Sequence, residues 1–209
     1  MGLFEHPYTD ETLLAQVVSR PEHRQASRWA AQRSMVLLRN EGGLLPLKKD
    51  LKKVAVIGPL ADSMEATEGS WMVFGHTPAA VTVLAGLRAK LPAAQVTYAH
   101  GPEIRRDIPS WFETSMAGME RKPAQSPADA EAAFQAAIET ARAADLVVMV
   151  LGETAEMAGE AASRASLDLP GRQEELLKAV AALGKPVVLV LLNGRPLSIN
   201  WAAEHIPAI

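Results

Sequence analysis

Four short runs of apolar and β-branched residues constrain the fold of this chain more than any other feature. They occupy residues 54–58 (VAVIG), 96–99 (VTYA), 146–152 (LVVMVLG) and 187–194 (VVLVLLNG). Runs that lack alternation with polar residues are typical of strands buried on both faces of a parallel sheet. The chain is therefore predicted to contain such a sheet.

The segments between these runs have the spacing of helices. Apolar residues recur every three or four positions at about 21–39, 80–91, 127–143 and 171–184. Strands that alternate with helices predict an α/β fold in which right-handed crossovers place helices on both faces of the sheet. We predict a doubly wound, mostly parallel sheet arranged as a three-layer sandwich.

Three long loops follow the first three predicted strands. They run over about 59–78, 101–127 and 153–170. Loops longer than about 12–15 residues in compact domains are usually functional or disordered. Ligands of parallel sheets gather at the carboxyl ends of the strands, so we expect any site at the edge where these loops meet.

Composition excludes several classes of function. The chain has 209 residues, a formal charge of −3 and no cysteine, and its five histidines lack the usual zinc spacing. Pro59 removes a backbone N–H that a phosphate would need after the first strand, and no phosphate-binding glycine motif is present. Apolar runs fall short of the roughly 18–20 residues of a membrane helix. We expect no metal, no cofactor, no nucleic-acid partner and no membrane partner.

The third loop is the densest group of titratable residues. It carries Glu153, Glu156 and Glu160, followed by Arg164 and Asp168. A carboxyl group at the carboxyl end of a strand can serve as a general acid or base. The same residues also fit a solvated acidic loop, and the residues alone leave both interpretations open.

Several motifs, in one order along nearly the whole chain, carry a resemblance. They are GE(x)6EAxSRxxLxLPxxQxxL over 152–176, RSMVLLRN over 33–40 with LLPL over 44–47, VAVIGPLAD over 54–62 with Gly69-Ser70-Trp71, and VVLVLLNGRP over 187–196. This set resembles the C-terminal α/β-sandwich domain of glycoside hydrolase family 3, in particular β-glucosidases of the bacterial periplasmic type. The start, MGLFEHPY, resembles the end of the family's catalytic barrel and the linker beyond it.

The resemblance implies a retaining exo-β-glucosidase that hydrolyses terminal non-reducing β-D-glucosyl residues. In the family, an aspartate of the N-terminal barrel is the nucleophile and a glutamate of the sandwich domain is the acid/base. Retaining enzymes hold these two carboxyl groups about 5–5.5 Å apart. Residues 1–45 are then a linker and first helix that follow a missing barrel, and residues 46–209 are a sandwich domain truncated at its C-terminus. We expect the isolated chain to be inactive.

The resemblance also assigns site residues. Glu160 matches the acid/base of the family, Glu153 is its rival and Glu156 a weaker alternative. Trp71 is a candidate platform for the aglycone side of a β-glucoside or oligosaccharide substrate, or else a core residue. His76 and Trp111 are lesser candidates in similar loops.

Arg164 and Asp168 are candidates on the substrate side. They are predicted to fix the loop as a pair or to help set the protonation of the acid/base, and the alternative is an exposed ion pair of little weight. A different class of function stays open, namely a non-catalytic carbohydrate-binding or protein-interaction domain. Relatives imply a periplasmic or secreted location, with a cytoplasmic one as the alternative.

Overall fold

The computed structural model describes residues 2–18, 20–72, 80–106, 108–109 and 123–209. The chain divides into two compact units between Leu37 and Leu38. The first unit contains helices α1, Leu13–Val17, and α2, Pro21–Ser34. Pro21 begins α2 at a position where its missing N–H and fixed φ are tolerated. The predicted helix over 21–39 is too long, because the backbone is extended from Met35.

The second unit is built on a sheet of four parallel strands among the described residues. The strands are β1, Lys53–Ile57; β2, Gln95–Ala99; β3, Leu146–Gly152; and β4, Val187–Leu192. Their order is β2-β1-β3-β4. In register, Val54 lies beside Leu146 and Val147 beside Val187.

Helices and short turns precede, connect and follow these strands. The helices are α3, Met64–Glu68; α4, Val83–Lys90; α5, Pro127–Arg142; α6, Gln173–Ala181; and α7, Asn200–His205. Single 3-10 turns lie at Glu41–Gly43 and Ala155–Met157. Ser63, Thr82 and Ser126 cap α3, α4 and α5 by accepting backbone N–H bonds through their side chains.

Strands β1 and β3 are buried on both faces of the sheet, whereas the edge strand β2 is partly exposed. Alternate residues such as Ala55, Ile57 and Val147 share one core with α5, α6 and α7. Their neighbours, such as Val54 and Val148, share a second core with α4 and with residues 44–51. Two cores around one parallel sheet make the three-layer α/β sandwich that the sequence predicts.

The end of the chain extends the sheet beyond β4. The Leu189 N–H donates to Ala208 O over 2.9 Å, and Ile209 N donates to Arg39 O over 3.0 Å. Asn40 supports this junction, since its side chain bonds both the N–H and the carbonyl of Leu45. The assignment of residues 1–45 as a linker after a barrel stays a prediction.

Among the described residues no helix combines the length and the apolarity that a membrane span requires.

Candidate active site

The three long loops meet at the carboxyl edge of the sheet, as predicted. Together they line a cavity of about 360 Å³. Its walls include Ser63 after β1, His100 and Glu103 after β2, and Thr154 and Glu156 after β3. The chain leaves β1 towards β2 and leaves β3 towards β4. This divergence between β1 and β3 is the place where open α/β sheets form a ligand crevice.

Two glycines bring the strand ends unusually close together. A Cβ on Gly58, at φ +132°, would lie 2.1 Å from Val150 O. A Cβ on Gly152, at φ +138°, would lie 1.9 Å from Leu192 O. Neither site has room for a side chain, so both turns require glycine. The residue that follows Gly152 is Glu153, and its position therefore depends directly on the end of β3.

Glu153 is buried and paired with two arginines. It is only 3% exposed. Arg164 Nη1 donates to Glu153 Oε1 over 2.7 Å, and Arg195 Nε lies 3.1 Å from the same oxygen. The other oxygen, Oε2, has no partner among the described residues. Guanidinium groups therefore hold this carboxylate. A buried, paired carboxylate is poorly placed to reach a substrate.

Arg195 also contacts the loop that carries Glu160. Its Nη2 donates to the backbone carbonyls of Met157 and Ala162, the latter over 2.7 Å. Arg195 follows β4 in the sequence, so its side chain returns across the edge of the sheet to the loop after β3. Sequence analysis gave Arg195 no role, although it lies within the motif over 187–196 and just beyond the carboxyl end of a strand.

Arg106, from the loop after β2, contacts the same segment. Its Nη1 donates to Glu156 O over 3.2 Å and its Nη2 to Ala161 O over 3.5 Å. This arginine was also missed by sequence analysis. Its contacts tie the second and third loops together.

Glu160 is exposed at this edge, between Gly159 and Ala161. A Cβ on Gly159 would lie 3.0 Å from Ser70 Oγ and 3.9 Å from Trp71 Cε2. The backbone next to Glu160 is thus a close neighbour of Trp71. Trp71 is 69% exposed, so the interpretation of this residue as a core tryptophan is wrong. Its role as a sugar platform stays a prediction, and Glu156 is likewise exposed.

Arg164 and Asp168 do not form the expected pair of side chains. Arg164 Nη2 donates to the backbone carbonyl of Asp168 over 2.8 Å. The Asp168 carboxylate instead accepts a bond of 2.7 Å from Ser166 Oγ. Because Arg164 pairs with the buried Glu153, it is not part of an exposed ion pair.

Gln173 joins the two ends of the third loop. This buried side chain accepts from Gly152 N over 2.9 Å and donates to Gly152 O over 2.8 Å. It also donates to Pro170 O over 2.9 Å. Sequence analysis gave Gln173 no role, although it lies within the motif that covers the loop. The glutamine holds the loop closed at its base.

Tyr98 and Asp62 are other titratable groups near this edge of the sheet. Burial raises the pKa of Tyr98, and the negative charge of Asp62 raises this pKa further. Asp62 accepts a bond of 2.8 Å from Thr82 Oγ1. Within the described part of the chain, no three histidine or acidic side chains are grouped to hold a metal ion. His76 and Trp111 lie outside the described residues.

Sequence comparison finds relatives of this chain among known glycosidases. The chain is 39% identical to a periplasmic β-glucosidase of Salmonella typhimurium, over 100% of this chain and 28% of the relative. It is 38% identical to a β-xylosidase of Formosa agariphila, over 90% of this chain and 24% of the relative. The chain thus spans 28% or less of the length of these curated relatives.

Solved structures give the same result. A β-glucosidase from Erythrobacter marinus matches 100% of this chain and 28% of its own, with a TM-score of 0.80 and 34% identity. A β-glucosidase from Listeria innocua in complex with glucose matches 99% of this chain and 25% of its own, with a TM-score of 0.76 and 35% identity. The sequence model of the glycosyl hydrolase family 3 C-terminal domain matches residues 35–209. The chain therefore belongs to glycosyl hydrolase family 3, as a C-terminal domain of that family.

Proposed function

We propose that this chain is the acid/base-donating domain of a retaining exo-β-glucosidase. The observation that supports this most directly is the contrast between two glutamates of one loop. Glu153 is buried against arginines, whereas Glu160 is exposed at the carboxyl edge beside the loop of Trp71. Of the two, only Glu160 is accessible to a substrate.

In this proposal Glu160 acts in two steps. It first protonates the glycosidic oxygen as the bond to the leaving group breaks, while a carboxylate attacks the anomeric carbon. It then removes a proton from the water that hydrolyses the glycosyl-enzyme intermediate. The carboxylate nucleophile comes from the barrel domain of the same parent protein, and the active site lies between the two domains. The chain alone is then inactive.

The substrate is a terminal β-D-glucoside or an oligosaccharide that ends in one, and Trp71 offers its indole face to the aglycone side. A periplasmic location is proposed from the name of the Salmonella relative. β-Xylosidase activity is the second candidate for the complete protein, because a relative at 38% identity has that name. Activity on aryl β-glucosides and aryl β-xylosides measured side by side separates the two.

The test uses the complete protein with an activated aryl β-glucoside. Glu160→Ala should lower kcat by about 10²–10⁴-fold, because general acid–base catalysis contributes about that much. Since a good leaving group needs little acid assistance, the second step becomes slow, and azide should restore turnover with formation of glycosyl azide.

Glu153→Ala is the matched control. It removes the buried glutamate of the same loop but leaves Glu160 in place, so azide should not restore its activity. Rescue of Glu153→Ala alone would transfer the acid/base role to Glu153. Rescue of neither variant would favour a carbohydrate-binding or protein-interaction domain without a catalytic role.

A further inference from the structure

The segment that carries Glu160 is held by arginines from two other loops. Arg195 donates to the carbonyls of Met157 and Ala162. Arg106 donates to the carbonyls of Glu156 and Ala161. Each guanidinium thus bridges one carbonyl before Glu160 and one after it. The planar, rigid fork of arginine fixes the spacing between the groups that it bonds.

Glu153 in turn holds Arg195. Its buried carboxylate lies 3.1 Å from Arg195 Nε and accepts from Arg164 Nη1 over 2.7 Å. A buried charge is stable only when it is paired, so the position of Glu153 and the positions of the two arginines depend on one another. Because Glu153 directly follows β3, this connection links the loop to the rigid sheet.

The backbone at Glu160 needs such support. Ala161 has φ +57°, in the left-handed region that residues other than glycine rarely adopt. Conformations of this kind persist only where the surroundings impose them. The carbonyl of Ala161 itself accepts from Arg106, and that of Ala162 from Arg195. The arginines therefore stabilise the turn that sets the direction of the Glu160 side chain.

We propose that Glu153, Arg195 and Arg106 are positioning residues that set the place of the Glu160 carboxyl group. This inference rests on the proposed acid/base role of Glu160. None of the three acts on the substrate. Their effect is to keep one carboxyl group at the separation from the nucleophile that retaining hydrolysis requires, and a misplacement of about 1 Å can lower a rate by about 100-fold.

The experiment compares Arg195→Met and Arg195→Lys with Glu160→Ala in the complete protein. Arg142→Met is the matched control, because Arg142 is an exposed arginine at the end of α5 that forms an ion pair with Glu139 at 3.4 Å. For each variant we would measure kcat and KM on an activated and an unactivated β-glucoside, the yield of glycosyl azide, and hydrogen exchange of the amides of residues 154–162.

Arg195→Met should lower kcat by about 10–100-fold and change KM by less than about threefold, because the substrate still binds while the carboxyl group is misplaced. The loss should be larger on the unactivated substrate. Little glycosyl azide should form, since the Glu160 carboxylate, although misplaced, is still present and repels an anion. Exchange of the loop amides should accelerate, Arg195→Lys should be intermediate, and Arg142→Met should match the unsubstituted protein.

Unchanged kcat and unchanged loop exchange in Arg195→Met would overturn the inference. Equal decreases in kcat on both substrates, with amide exchange accelerated throughout the sheet, would also overturn it, because that pattern describes general destabilisation. Arg195→Lys repeats the test with the positive charge kept. Failure of the proposed function has a different signature, namely a Glu160→Ala variant that retains activity whatever the behaviour of Arg195→Met.

Discussion

The close approach of β3 and β4 at Gly152 allows us to predict how much a substitution there destabilises the fold. In Gly152→Ala the new Cβ would lie 1.9 Å from Leu192 O, on a backbone with φ +138°. Forcing a residue other than glycine into this conformation costs about 1–3 kcal/mol, and overpacking costs about 1–3 kcal/mol more. We expect the free energy of unfolding to fall by about 4 kcal/mol, which corresponds to a decrease in Tm of about 8–16 °C in a domain of this size.

Gly184→Ala is the matched control. Gly184 also has a positive φ, +70°, but a Cβ there would meet no atom within 4 Å. Its cost is only the left-handed backbone, about 1–2 kcal/mol. Thermal unfolding followed by circular dichroism at one protein concentration gives both values. Equal decreases in Tm for the two variants would refute the argument that contact with Leu192, rather than φ alone, makes glycine necessary at 152.

Two further predictions concern hydrogen bonds around the third loop and on the helices. Gln173→Leu should lower the free energy of unfolding, measured in urea, by about 2–4 kcal/mol, because the N–H and carbonyl of Gly152 lose their buried partner. Gln135 is exposed, so Gln135→Leu should change this free energy little. Similar decreases for the two variants would contradict this account. The Arg172 guanidinium lowers the pKa of Glu175 below its ordinary value of 4.5. A carboxyl group whose pKa is lowered by folding stabilises the folded state above its unfolded pKa, and this stabilisation is lost on acidification. The difference in free energy of unfolding between the unsubstituted chain and Arg172→Met should therefore decrease from about pH 6 to about pH 3. A difference in free energy of unfolding that increases as the pH falls would contradict this prediction.

The strands were predictable because their signal is local. The run over 146–152 has no polar residue, and β3 has these same bounds. The helix predicted over 21–39 was too long for a non-local reason. Apolar spacing continues through Leu38, but its N–H donates to Ile209 O over 2.9 Å. Pairing with a residue at the other end of the chain overrides a local helical pattern, and periodicity contains no information about it.

In the candidate site, too, contacts between distant parts of the chain were not predictable from the sequence. The loop and its glutamates followed from motifs, whereas burial and ionic partners did not. Arg164 and Asp168 are four residues apart and were predicted as a pair, but the structure places the buried carboxylate of Glu153 within 2.7 Å of Arg164. Arg195 reaches that carboxylate only because β3 and β4 are adjacent and in register. Partners fixed by strand order are not visible in sequence spacing.

The exposure of Glu160 bears on the choice between a catalytic domain and a binding module. Closing an active site strengthens the electrostatic interactions within it, and Glu160 is open to solvent in this chain. In the proposed enzyme, the barrel would cover it during turnover. A module that only bound sugar would use the exposed face of Trp71 and would have no need for a fixed carboxyl group nearby. The guanidinium contacts on both sides of Glu160 hold its backbone, and they cost arginine side-chain freedom that sugar binding alone does not require. A backbone held in this way at Glu160 favours a catalytic role for this loop.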